Sequence, residues 1–144
     1  MPTLNTLARI ATKPIPRMLS PKGHAIVDYC IVAAFALGAM RFWNRNKRAS
    51  AAAIFCGSTQ LALNLTTDYR GGDGKLISLR THREIDLGLA AMSAVLPELM
   101  AFHDSSEKKF FAAQGAAITV VNQLTRLPER STVAERRIRR ERAA

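Results

Sequence analysis

Two stretches of the chain carry no Asp, Glu, Lys, Arg or His: Ala49 to Thr67, 19 residues, and Phe110 to Thr125, 16 residues. A surface helix of a water-soluble bundle shows a charged or strongly polar face at every turn, whereas a hydrocarbon layer about 30 Å thick asks for about 20 residues without charge. Both stretches therefore predict membrane spans. Two further apolar runs follow polar residues: Tyr29 to Met40 lies behind Asp28, and Leu87 to Pro97 behind His82, Arg83, Glu84 and Asp86. Extended to His24 through Trp43 and to Glu84 through Phe102, they reach spanning length if their polar residues sit at helix ends or face other helices. The expected fold is all-α, a four-helix transmembrane bundle, with loops and tails too short for a soluble enzyme domain.

A displacement of 58 positions aligns Ser20, Lys22, His24, Val27 and Asp28 with Ser78, Arg80, His82, Ile85 and Asp86. With no gap, the same displacement pairs Gly57 with Gly115, Asn64 with Asn122 and Thr67 with Thr125. The matches fall on polar residues that apolar composition alone would not supply. The pattern predicts two parallel helical-hairpin repeats, 20–69 and 78–127, joined by a Gly-rich linker, 70–77. A basic segment, 1–19, precedes them and an Arg-rich tail, 128–144, follows. Each copy holds an even number of spans, so both start from the same side of the membrane.

At 1.5 Å per residue Asp28 lies about 6 Å beyond His24 on the same helical face, and the returning helix brings Asn64 to its level about 6 Å before Asp68. The expected levels are His24 with Asp68 and Asp28 with Asn64. In the second copy they are His82 with Thr125 or Arg126, and Asp86 with Asn122. His24, Asp28, Asn64, Asp68, His82, Asp86 and Asn122 thus form a candidate polar layer near the inner leaflet. Polar groups in hydrocarbon must satisfy one another, so the first expectation is a structural or interaction module in which this layer locks the helices together. The alternative is an ion, proton, metal or small-ligand site, because imidazole and carboxylate at i and i+4 can converge on one cation. Ser20 and Ser78 invite a nucleophile reading, but serine at a helix start is more often a cap, and no enzyme is expected. No cofactor is expected either. The glycines at 71, 72 and 74 lack the order of a phosphate cradle and suit the turn between the copies.

Composition and charge set the surroundings. The chain has 144 residues, 48% of them hydrophobic, with 21 Lys and Arg against 11 Asp and Glu and a formal charge of +10. That apolar share excludes a disordered basic protein. With four spans, both termini share a side with the 70–83 loop, and that side carries 15 of the 21 basic residues. The positive-inside rule then makes the termini cytoplasmic in a bacterial inner membrane. The tail arginines Arg136, Arg137, Arg139 and Arg140 are expected to touch anionic lipid headgroups, and no nucleic-acid motif accompanies them. Tyr29 and Tyr69 fall at one set of helix ends; Phe42, Trp43, Phe102, Phe110 and Phe111 fall at the other, as membrane-interface aromatics do. Glu98 is expected near the outer surface and solvated. Cys30 and Cys56 suit reduced, small packing residues. Small residues such as Ala49, Ala52, Ala53, Gly57 and Gly115 permit close helix approach, within the chain or in a homo-oligomer or membrane complex.

The series Ser20-Pro21-x-x-His24-x-x-x-Asp28-Tyr29, Leu65-Thr66-Thr67-Asp68-Tyr69 and Leu76-Ile77-x-Leu79-x-x-His82-x-x-x-Asp86 resembles the small bacterial membrane proteins called SPW-repeat proteins. The resemblance covers about Ser20 to Phe102 and implies four transmembrane helices, an internal duplication and an inner-membrane location. It implies no reaction. At the family's Ser-Pro-Trp positions this chain has Ala39-Met40-Arg41-Phe42 and Leu96-Pro97-Glu98-Leu99, without tryptophan.

Overall fold

Four helices make up the described part of the computed structural model, which covers residues 16–69, 75–127 and 141–142. They are α1 (Pro21–Phe42), α2 (Lys47–Thr66), α3 (Leu79–Leu99) and α4 (Ser105–Leu124), with two-residue strands β1 (Thr67–Asp68) and β2 (Ile77–Ser78) between α2 and α3. The all-α expectation holds. The tail arginines Arg136, Arg137, Arg139 and Arg140, most of the basic N-terminal segment and the linker glycines lie outside the described residues.

Each helix starts at a side-chain cap. Ser20 Oγ accepts from Gly23 N–H and Ser78 Oγ from Thr81 N–H, which makes both serines cap residues as their positions suggested. Asn46 caps α2 through Arg48 and Ala49 N–H. Asp104 caps α4, and its bond from Ser106 N–H, with Arg45 beside it, holds its carboxyl below the ordinary value. α1 packs mainly on α2, and α3 on α4; α1 also touches α4, and α2 touches α3.

The hairpins are stitched at one end by an exchange of backbone. Ile77, before α3, pairs in parallel with Thr67, after α2. Leu19, before α1, pairs in parallel with Thr125, after α4, through Leu19 N–H to Leu124 O and Arg126 N–H to Leu19 O, both 2.9 Å. The start of each hairpin is thus bonded to the end of the other.

The opposite end is closed by phenylalanine. Phe35, Phe42, Phe102 and Phe111 are all at most 2% exposed, and Phe110 stacks edge-on against Phe35, Phe42 and Phe111. Phe42, Phe102, Phe110 and Phe111 are therefore core or half-buried packing residues, which corrects their reading as interface aromatics. Trp43 and Tyr29 do lie on the surface. Glu98 is exposed and pairs with Lys108. Both cysteines are free, but only Cys56 is buried; Cys30 faces outward.

Close approach at Gly115 holds α3 against α4. A Cβ there would stand 2.7 Å from the backbone oxygen of Ala90, a contact no rotamer change relieves. Gly115→Ala should therefore cost about 1–3 kcal/mol by forcing the helices apart, despite alanine's better helix propensity. Chemical unfolding of the variant against the parent chain measures this.

Among the described residues, α1 alone is long and apolar enough to cross a membrane by length and composition. The uncharged stretches in α2 and α4 fall short because freedom from charge is not apolarity. α2 carries Ser50, Ser58, Thr59, Gln60 and Asn64, and α4 carries Gln114, Thr119, Asn122 and Gln123.

Candidate functional site

The exchanged strands deliver one histidine and one aspartate from each hairpin to a single buried point. His24 and Asp28 come from the first turns of α1, and His82 and Asp86 from those of α3; all four are at most 1% exposed. His24 Nε2 lies 3.0 Å from Asp28 Oδ2 and 3.5 Å from Asp86 Oδ2. His82 Nε2 lies 3.0 Å from Asp28 Oδ2 and 3.1 Å from Asp86 Oδ2. The two Nε2 atoms are 3.2 Å apart. Four of the seven sequence-derived layer residues thus form one centre.

The far side of each ring is held by a threonine of the other hairpin. Thr67 Oγ donates to Leu63 O at 2.6 Å, so it accepts from His82 Nδ1–H at 2.7 Å. Thr125 Oγ donates to Val121 O at 2.6 Å and accepts from His24 Nδ1–H at 2.6 Å. Because a hydroxyl has one proton, each threonine fixes its partner ring with Nδ1 protonated and Nε2 turned inward. Within this layer the pairing is crossed: Thr125 serves His24, and Thr67 serves His82, since the start of each hairpin pairs with the end of the other.

The three remaining layer residues take different places. Asn64 borders the centre. Its amide is satisfied with the nitrogen toward Asp28 Oδ2 and Tyr69 Oη, each at 3.2 Å, which leaves the Tyr69 hydroxyl to donate to Asp28 Oδ2 at 3.4 Å. Asn122, its counterpart 58 positions on, is taken by Arg83, whose Nε donates to Asn122 Oδ1 at 3.0 Å while Asn122 Nδ2 donates to Arg83 O at 2.7 Å. Asp68 sits half-buried in β1, paired in register with Ser78, and is not one of the four converging groups. Gln60 takes the place near Asp86 that Asn122 was expected to fill, donating from Nε2 to Asp86 Oδ1 at 3.1 Å.

Sequence reasoning missed Gln60, Tyr69 and Arg83 as neighbours of the centre. Gln60 lies in an uncharged run and its 58-position counterpart is Ile118, so the repeat gave no signal for it. Thr67 and Thr125 did carry the repeat signal, without revealing the partner of either.

Tyr69 packs against both histidines, with ring centroids 6.2 Å from His24 and 5.5 Å from His82. Burial, and then the carboxylates of Asp28 and Asp86, push its phenol above the ordinary value of 10.0. A folded-state value above the unfolded one gives stability that is complete below pH 10 and lost as pH rises through the raised value. Tyr69→Phe should thus cost about 0.5–1.5 kcal/mol at neutral pH. The variant should also lack the alkaline loss due to Tyr69, which shows as a shrinking stability difference between the two proteins above pH 10.

Two carboxylate oxygens of the centre, Asp28 Oδ1 and Asp86 Oδ2, are buried without a hydrogen-bond partner of acceptable geometry. The four residues offer ligand atoms that all lie within 4.8 Å of one another. The arrangement is chemically suited to holding the hairpins together by charge-assisted bonds, or to binding a small cation.

No family model, no curated protein and no solved structure matches the chain.

Proposed function

We propose that the protein is a small integral membrane module made of two copies of one helical hairpin, latched to each other through the buried His/Asp centre. The observation that carries this reading is the inverted distribution of polarity. In α1 and α2 the buried positions include His24, Asp28, Ser50, Gln60 and Asn64. Among the outward positions are Ile26, Leu37, Met40, Ile54, Phe55, Leu61 and Leu65, each 38% exposed or more. Ile85, Leu87, Met92, Val95 and Val120 extend the apolar exterior over α3 and α4. A bundle in water arranges these classes the other way round, whereas a lipid solvent rewards an apolar outside and confines polar groups to the interior.

The His/Asp end then faces the cytoplasm with both termini, in keeping with the distribution of Lys and Arg, and the basic tail contacts anionic headgroups. The repeat relationship is supported by matched roles 58 positions apart: Ser20 and Ser78 cap helices, and His24 and His82 meet. Ser20 and Ser78 are engaged as caps at the surface and stand apart from the imidazoles, which favours a structural or interaction role over a catalytic one.

Membrane fractionation tests the reading. The chain should stay in the pellet through alkaline carbonate and high salt and leave it only with detergent; release without detergent would exclude the spanning arrangement. A second reading, in which the centre binds an ion or small ligand, is favoured by the unpartnered Asp28 Oδ1 and Asp86 Oδ2.

A further inference from the structure

We propose that His24, Asp28, His82 and Asp86 form a four-coordinate site for one divalent transition metal ion of the zinc class. The inference rests on the geometry of the centre and not on the membrane reading. Five of the six separations among His24 Nε2, His82 Nε2, Asp28 Oδ2 and Asp86 Oδ2 lie between 3.0 and 3.5 Å. A tetrahedron has edges about 1.63 times its bond length, so bonds of about 2.0–2.1 Å give edges of about 3.3–3.4 Å. A square plane with bonds of about 2.0 Å would need two of the six separations near 4 Å. Two imidazoles and four ligands are also foreign to magnesium, which wants six oxygens, and to calcium, which wants six to eight.

The surrounding groups are set as an outer shell around such an ion. Thr67 and Thr125 hold Nδ1–H of the two rings and aim the Nε2 lone pairs inward, the arrangement that metal-bound histidines use to fix tautomer and orientation. Gln60 binds the outer oxygen of Asp86 and leaves Oδ2, 1% exposed at the side chain, aimed at both imidazoles without a hydrogen-bond partner. With both Nε2 atoms protonated, two like-charged N–H groups would face each other across 3.2 Å, whereas one dication between the four atoms meets two lone pairs and two carboxylates. The site takes its ligands equally from the hairpins, so the ion would also join them.

The test uses the full chain purified in detergent, stripped with chelator and titrated with Co2+ and then Zn2+. One Co2+ per chain should bind with the intense visible bands of four-coordinate cobalt, and Zn2+ should displace it. His82→Gln and Asp86→Asn should abolish this stoichiometric uptake. Thr67→Val and Thr125→Val, which keep all four ligands, should weaken it about 10–100-fold. His103→Gln, an exposed histidine outside the centre, should leave it unchanged. The proposal is overturned if the stripped, folded parent chain takes up no cobalt, if its spectrum is that of six-coordinate cobalt, or if uptake survives His82→Gln and disappears with His103→Gln. The parent titration decides the matter even if the ligand variants fail to fold. Carbonate extraction fails or succeeds separately from this result.

Discussion

Replacing His82 with alanine should destabilise the bundle by about 3–5 kcal/mol, enough to unfold a marginal protein. The reason is what the substitution leaves behind. Asp28 and Asp86 would remain buried, at most 1% exposed, with a single imidazole between them, and Thr67 would lose the ring it now accepts from. Neither carboxylate can reach water, and the neighbouring donors, Gln60 for Asp86 and Tyr69 for Asp28, are already in use. Reversible unfolding in mild detergent, followed by helix content, would give the number.

A combined variant makes the prediction sharper. His24→Leu, His82→Leu, Asp28→Val and Asp86→Val together remove every charge of the centre and fill it with apolar groups. Apolar replacement of a complete buried charge cluster is often neutral or stabilising, whereas removal of one member is not. The fourfold variant should therefore recover most of what His82→Ala loses while binding no metal. If it is as unstable as the single variant, charge pairing is not the origin of the loss.

The second large effect is expected at the other end of the molecule. Phe111 is fully buried and its ring centroid lies 5.3 Å from Phe110, 5.6 Å from Phe102 and 6.4 Å from Phe35. Phe111→Ala should cost about 3–5 kcal/mol, mostly as contacts forfeited around the cavity. In a lipid solvent the transfer part of this figure shrinks, because lipid tails are as apolar as the core, and the packing part remains. Phe111 shares no partner with His82, so the two losses should add within about 0.3–0.5 kcal/mol in the double variant. Cobalt uptake should be intact in Phe111→Ala, which separates a packing defect from damage to the site.

Much of the centre is legible in the sequence because its parts are local. His24 and Asp28, or His82 and Asp86, share a helical face by spacing alone, and the 58-position displacement tied the two pairs together. Depth along a helix could be counted, but lateral neighbours could not. The exchange of Thr67 and Thr125 between hairpins depends on two short parallel pairings, Thr67 with Ile77 and Leu19 with Thr125, that have no sequence signature of their own. Asn122 was matched to Asp86 by analogy with Asn64, yet residue 83 is arginine where the first copy has Ala25, and that guanidinium captures the amide. The phenylalanines near helix ends read as interface residues because position along the chain does not show which side of a helix faces its neighbours. Freedom from charge was a weaker guide to span length than apolarity, since Ser, Thr, Asn and Gln hide in uncharged runs, and α2 turns three of them, Ser50, Gln60 and Asn64, inward.

The apolar exterior can be probed at a residue already present. Cys30 lies in α1 on the outward face, and Cys56 is buried inside the bundle. A thiol open to water forms thiolate and reacts with a polar, membrane-impermeant maleimide, whereas one facing hydrocarbon does not. With the chain in sealed lipid vesicles and Asn44→Cys as the exposed reference at the α1–α2 turn, the reference should label from one side of the membrane. Cys30 should react only after denaturation in strong detergent. Rapid labelling of Cys30 in intact vesicles, at the rate of the reference, would contradict the immersion of this bundle in lipid.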